Sequence, residues 1–491
     1  MASYDPNVTQ KCGWGQMLGQ FAPAGVQVFN HAREGVASSV FYDDGSWAKV
    51  QRQIEPGDVV LIQFGHDDER GLLGCGAHKG AESPWETFRR MLCLFVDEAR
   101  QAGARPILLQ PVVRRFFDGN AITRKGAHDF SRTPGDVSFD FTAVIRSVAD
   151  SCGVDLIDLC AISKGIVESY GVVGSKEQLY VEADNTNTAA KGAALFALAV
   201  AEALDTMDVW RGSVRRPQVV SSPVEIDFGR VFLGDTAWQA LDLVDICGLT
   251  TLQPKVLTHH KRMTISAPAG FKVASRAGGV PQDSMSVLTD ATASIFVSYI
   301  PKSTAQSVAT LTVRTPDGEA KVRLRGGGRS VVRRSSATIR WDDVTAPLDD
   351  NRLSASLSSI RGLELADVGV LPLRGTWPSA PDKSEYVQMR ITSNDKQLLI
   401  RNLSISSSPS QSFRVACSLG NDFYREIVMG QRVVSEVDNA SRHRTDSFDT
   451  SIPLLPNQTI LVRIYPASVD MSPDVKPFVI SSVGLAVDTF E

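Results

Sequence analysis

Two short stretches hold the side chains best suited to chemistry. Gly65-His66-Asp67-Asp68 follows the apolar run VVLIQF, and Asp184-Asn185-Thr186-Asn187 precedes a late apolar, helix-like segment. His66 beside Asp67 has the parts of a general base, an imidazole with a carboxylate next to it. Together with Asp68 and Asp184 the same residues would offer mostly hard oxygen ligands, suited to magnesium, calcium or manganese. No closer ligand cluster is legible, so neither a metal nor a cofactor is expected. His31, His78, His128 and the pair His259-His260 lie in loop-like segments and read as surface or capping residues.

The elements that must position these loops alternate between strand and helix. VQVF near Val26, DVVLIQFG from Asp58, RPILLQP from Arg105 and VDLIDL from Val154 are short and apolar on both faces, as buried parallel strands are. Helical stretches run from Trp85 to Ala102, near Phe139 to Ala149, and from Ala189 to Leu204, giving a three-layer α/β domain over 1–210. Ligands in such open sheets gather in loops at the carboxyl ends of the strands, so the two stretches are expected to meet. Beyond the basic segment Arg211 to Pro217, helical periodicity disappears. VEIDFG, MTIS, SIFVSYIP, ATLTVRT and KVRLRG read as strands of a small β-sandwich over 218–328. Gly326-Gly327-Gly328 and the basic Arg329 to Arg334 read as a linker. Over 335–491 the runs YVQMRIT, QLLIRNLSIS, TILVRIYP and FVISSVGLAV suggest a second β-sandwich, of jelly-roll type.

Composition narrows the class. The chain has 491 residues, 51 Lys+Arg against 55 Asp+Glu, and 43% hydrophobic residues. That excludes a disordered chain, a collagen-like one and a basic nucleic-acid-binding domain, so no nucleic-acid partner is expected. The longest apolar stretch, Ala193 to Leu204, contains Glu202 and is shorter than the roughly 20 residues that span a bilayer. Seven scattered cysteines without a C-x-x-C pair fit neither a disulfide scaffold nor a zinc finger. Tyr4, Asp5, Asn7 and Gln10 stand where a signal peptide would need apolar residues.

CGWGQML, VFNHAREGVAS, the turn Gly45-Ser46-Trp47, EPGDVVLIQFGHDD, LLQPVVRRFFDGN, VDLIDL and YVEADNTNTAAKGA occur in order over about the first 205 residues. This set resembles the SGNH (GDSL-type) hydrolases, and among them the rhamnogalacturonan acetylesterase-like carbohydrate esterases. The resemblance implies a flavodoxin-like α/β fold and hydrolysis of acetyl esters on pectic polysaccharide. It implies a serine nucleophile, a histidine base oriented by an aspartate three residues earlier, and an oxyanion hole from the serine amide, a glycine amide and an asparagine.

The key positions depart from that pattern. Asp184 and Gly35 match, whereas the histidine position holds Asn187 and the oxyanion asparagine is Asp67. An amide cannot take the proton, and an ionised carboxylate repels the developing oxyanion. The serine would fall two positions before Met1, on a strand not represented here, and Ser3 is a poor substitute. A start placed upstream is expected, which would also explain the missing signal peptide and imply a secreted, periplasmic or cell-surface protein. His66 is the remaining base, although the family carries a histidine there as a structural neighbour. Arg114-Arg115-Phe116-Phe117 resembles a segment bordering the cleft, where arginines meet galacturonate carboxylates and rings stack on sugars. A salt-bridged loop arginine and two core phenylalanines are the alternative.

DFGRVFLGDTA with ISAPAGFKVA resembles immunoglobulin-like modules beside bacterial polysaccharide-degrading enzymes, and LPNQTILVRIYP is similar to C-terminal modules of pectin-active proteins. Trp341 and Trp377 are too far apart in sequence to mark a sugar-binding row. Two functions follow as expectations: an impaired carbohydrate esterase acting on acetylated pectin, and a non-catalytic polysaccharide-binding pseudoenzyme.

Overall fold

The computed structural model describes residues 1–70, 84–133, 139–182, 184–255, 261–289, 292–330, 333–340, 353–361, 364–365, 371–374, 386–393, 397–407, 412–419, 426–432, 444–455, 457–467 and 478–489. Cys75, His78, His259, His260, Trp341 and Trp377 lie outside the described residues.

The first 210 residues form helices α1 (Trp14–Met17), α2 (Ser38–Asp43), α3 (Ser46–Gln51), α4 (Pro84–Gln101), α5 (Phe141–Cys152), α6 (Leu159–Gln178) and α7 (Ala190–Thr206). Among them run strands β1 (Val59–Ile62), β2 (Arg105–Leu109) and β5 (Asp155–Ile157), with a two-residue hairpin of β3 (Phe117–Asp118) and β4 (Ala121–Ile122). β1, β2 and β5 pair in parallel in that order. Side chains alternate across β2. Leu108 joins Ile62 and residues of α2 to α5 in one core, while Ile107 and Leu109 join α6 and α7 in another. Helices therefore cover both faces of the sheet.

Local chemistry sets several boundaries. The Asp140 carboxylate accepts from the Thr142 and Ala143 amides to start α5, and Gly153, with φ 57°, ends it. Helix α6 was not expected, because its glycines interrupt the apolar spacing and Gly171, with φ 71°, breaks its helical geometry. The Val26 run, expected as a strand, instead belongs to no strand, and Val26 and Phe29 are exposed. A strand requires neighbours that bond to it. Between this run and β1 lies a cleft of about 1450 Å³, so neither edge meets a partner across it.

Residues 219–329 form two sheets over one apolar core that includes Leu241, Leu243, Ile265, Val313 and Leu324. One sheet runs Phe271–Ala274, Thr292–Tyr299, Ala237–Asp245, Val219–Ser222. The other runs Ser284–Thr289, Lys261–Ser266, Gln306–Thr315, Gly318–Arg329, Glu225–Phe232. The glycine triplet, expected as a linker, is the end of the strand Gly318–Arg329. Close packing requires it there, since a Cβ on Gly326 would stand 2.7 Å from the Tyr299 ring and one on Gly328 would stand 1.9 Å from the Ser303 carbonyl oxygen. The basic stretch after it enters another strand, Arg333–Arg340.

Two further sheets share a core of residues such as Ile391, Ile400, Leu403, Phe413, Val462 and Leu485. The units are joined. The core beneath α7 extends into Val220, Val244, Ile246 and Leu249. The Asn7 side chain donates to Gln239 Oε1 at 2.5 Å and accepts from the Ala240 amide at 2.7 Å. Arg401 binds both Asp235 and Asp488, beside a contact of Phe232 with Leu399. Among the described residues no helix is long and apolar enough to cross a membrane.

Candidate active site

The loop after β1 is shaped by Gly65, whose φ of 132° suits glycine and where a Cβ would stand 3.1 Å from Pro111. The buried Asp68 ties this loop to the start of α2. Its Oδ1 accepts from the Ser38 amide at 3.0 Å and the Ser38 hydroxyl at 2.5 Å, and its Oδ2 from the Gly65 amide at 3.1 Å. Gly35, with φ 70°, sits in the adjoining loop and lines the cleft.

The next residue, Glu69, is wholly buried and holds one side chain on each oxygen. Arg114 Nε donates to its Oε1 at 2.7 Å, and His128 Nδ1 lies 2.8 Å from its Oε2. Nothing in the sequence pattern pointed to Glu69, because its neighbours Asp67 and Asp68 look the same by type. His128, expected at the surface, is fully buried. Its other ring nitrogen faces the Val112 carbonyl at 2.8 Å, so the loop folds inward around it.

Arg114 also donates to the His66 carbonyl at 2.8 Å and to Thr186 Oγ1 at 2.5 Å, bridging the two stretches that the sequence singled out. Arg115 donates to Asn185 Oδ1 at 2.7 Å, Ser175 Oγ at 3.0 Å and the Val172 carbonyl at 2.9 Å. Both guanidinium groups, expected to meet substrate carboxylates, are buried and engaged by protein groups, and Arg115 does not line the cleft. They satisfy acceptors that the loops would otherwise bury unpaired. Phe117 packs against the core, as the alternative reading of that segment had it.

Asp184 is occupied by its own turn. Its Oδ1 accepts from the amides of Thr186 at 2.6 Å and Asn187 at 3.1 Å, and its Oδ2 from Asn187 Nδ2 at 2.5 Å. Asp67 pairs with Arg70 at 3.0 Å. Ser3 is exposed and accepts from Asn30 Nδ2 at 2.9 Å; it does not itself line the cleft, although Ala2, Tyr4 and Asn30 beside it do.

His66 has a buried Nε2 without a hydrogen-bond partner and packs edge-on to His128, with ring centroids 4.7 Å apart. Burial first, then the charges of His128 and Arg114, hold its imidazole well below its ordinary range. The ring therefore stays neutral. Gly35, His66, Asp67, Arg114, Asp184, Thr186 and Asn187 thus converge on a polar mouth, which deepens into an apolar slot between β1 and Val26–Val28. Among the described residues no group of three or more His, Cys, Asp or Glu side chains is placed to hold a metal.

A parallel sheet covered on both faces, with polar loops gathered at the carboxyl ends of its strands, defines an open three-layer α/β domain. No family model matches the chain. It is 33% identical over 215 residues to rhamnogalacturonan acetylesterase RhgT of Bacillus subtilis (strain 168), covering 41% of this chain and 84% of the relative. It is 30% identical over 151 residues to the probable rhamnogalacturonan acetylesterase YesY of the same organism, covering 31% and 62%. Among solved structures it is similar to protein YxiM of Bacillus subtilis, at 25% identity and a TM-score of 0.34, over 42% of this chain and 55% of that one. It is also similar to Axe2, an acetylxylan esterase from Geobacillus stearothermophilus, at 14% identity and a TM-score of 0.27, over 37% and 72%. The chain belongs to the SGNH-type carbohydrate esterase family of the rhamnogalacturonan acetylesterases, through its α/β part.

Proposed function

We propose that this carbohydrate-esterase-like protein binds acetylated pectic polysaccharide, of the rhamnogalacturonan class, at the polar mouth of the cleft, and that ester cleavage there is severely weakened. The observation that carries the reading is the Asn187 amide donating to Asp184 Oδ2 at 2.5 Å. At the position where the resemblance requires a proton acceptor stands a group that gives its hydrogen to the orienting carboxylate. Only a weakly basic carbonyl remains for a substrate hydroxyl or water. Asp67, held by Arg70, adds negative charge where an oxyanion would need donors. The relatives' names supply the substrate class. Sugar hydroxyls can bond to the carboxylates and amides of the mouth. The two β-rich units serve as carbohydrate-binding or spacing modules, and the protein acts outside the cytoplasm, where its polymer is found.

One observation favours residual cleavage: His66, a residue that lines the same cleft, holds a neutral imidazole whose buried Nε2 has no hydrogen-bond partner. Its depressed basicity weakens it as a base. Both readings meet in one experiment, acetate release from acetylated pectin and from an aryl acetate, run beside affinity electrophoresis in a pectin gel. Retention without turnover is expected, with retention unchanged in Asn187→Ala. Turnover that disappears in His66→Ala would establish the esterase reading instead. Absence of both retention and turnover, from a protein that melts cooperatively, would reject both.

A further inference from the structure

Helices α4 and α5 lie side by side on one face of the sheet, packed through Phe88 and Phe141 with ring centroids 5.3 Å apart. The Arg100 guanidinium of α4 donates to the Gly153 carbonyl at 2.8 Å, which fixes the end of α5 against its neighbour. At this junction Cys93 of α4 and Cys152, the last residue of α5, bring their sulfurs to 4.0 Å, at a sequence separation of 59. Both side chains are half-buried, so a small reagent reaches them. Cys12, Cys160 and Cys417, by contrast, are buried, and burial pushes each of their thiols up to about 12. They are inert by the usual rule that the thiolate is the reactive species.

We propose that Cys93 and Cys152 are a modification site, a dithiol that a disulfide-class oxidant converts into an intramolecular disulfide stapling α4 to α5. A disulfide needs its sulfurs at about 2.05 Å, and rotation about the two Cα–Cβ bonds is the movement that brings them closer from 4.0 Å. In the exchange, one protein thiolate attacks the oxidant's disulfide and releases its first thiol. The second protein thiolate then attacks the mixed disulfide and releases the other. Two protein thiols are oxidised, one oxidant disulfide is reduced to two thiols, and the two protons lost by the cysteines end on the departing thiolates. The staple closes a long loop and so restricts the unfolded chain, which raises the stability of the outer helical layer. Such a bond persists in an oxidising compartment and is lost in a reducing one.

The test uses the full chain, first reduced, then incubated with oxidised glutathione at about pH 8.5, an alkaline pH chosen because burial and then its neighbour Cys152 hold the Cys93 thiol above the ordinary range. Thiols are counted in denaturant and the linked peptides mapped by mass spectrometry. The expected result is a fall from seven thiols to five, a Cys93–Cys152 cross-linked peptide, and a melting temperature raised by several degrees. Cys93→Ser and Cys152→Ser should each abolish the cross-link and the shift, whereas Cys75→Ser leaves both intact. Seven remaining thiols, or Cys93 mapped to any other cysteine, would overturn the proposal. The mapping on the unsubstituted chain decides the matter even where a serine variant folds poorly.

Discussion

Asp68 sits behind the cleft with three donors on its carboxylate and almost no exposure to solvent. Burial outweighs those donors and raises its pKa from the ordinary 3.8 to about 6. The folded protein therefore holds this proton more tightly than the unfolded chain does. The stability so gained is fully present below about pH 4 and is lost as the pH rises through about 6. Asp68→Asn, neutral at every pH, removes this dependence. Urea unfolding of both proteins between about pH 4 and 7 should show the natural chain losing up to about 3 kcal/mol relative to the variant. Parallel curves would mean that Asp68 is equally ionised in both states. Glu69 is the contrasting carboxylate of the same loop, since it keeps the Arg114 guanidinium on one oxygen and the His128 ring on the other. Adjacent residues of one type thus take different roles, set by what the fold places against them.

A tight constraint among the helices is the approach of α7 to the segment that precedes it. Gly192 lies against Leu179 so closely that an added Cβ would stand 2.1 Å from a carbonyl oxygen. Gly165, within α6, has nothing within 4 Å of such an atom. The two Gly→Ala substitutions should therefore have opposite signs. Gly165→Ala gains about 0.5–1 kcal/mol from helix propensity, and Gly192→Ala loses roughly 2 kcal/mol or more to backbone displacement. Chemical denaturation of the two variants checks the pair, and destabilisation by Gly165→Ala would contradict the geometry of α6. The α6 helix also shows why some elements escape a sequence reading. Its glycines look like turn signals, and packing over Ile166, Val167 and Tyr170, with the Asp158 cap on the Ala161 amide, holds the helix together.

At the scale of the whole molecule, the units are joined by specific contacts. Arg401 reaches from the last unit to Asp235 of the middle one while also holding the buried Asp488, and its guanidinium lies 5.6 Å from the Phe232 ring centroid. Removing a cation shared by two poorly exposed carboxylates leaves like charges facing each other at the junction. Arg401→Ala should therefore separate the last unit from the rest. Calorimetry is expected to resolve a lower melting transition for it, several degrees below that of the natural chain. A single unchanged transition would show that the Phe232 and Leu399 contact suffices. The middle unit should stay coupled to the α/β part in that variant, because Val220, Val244, Ile246 and Leu249 belong to the core beneath α7.

The sequence by itself determined the α/β character of the first part, the strand-rich character of the rest, and the two stretches that meet at the cleft. Those features rest on local periodicity and on the placing of polar residues at strand ends, which a linear reading can register. It also exposed the substitutions at Asp67 and Asn187, because residue type alone limits which protons a side chain can accept. What only the tertiary structure decided are the partners. Arg114 and Arg115 turn inward to hold loops, His128 is buried against Glu69, and the glycine triplet is a packed strand end. The Val26 run stays unpaired for want of a neighbour, and Cys93 meets Cys152 across a separation of 59 residues. Each of these depends on groups far apart in the chain, whose distances are set by closing the cores rather than by any local pattern.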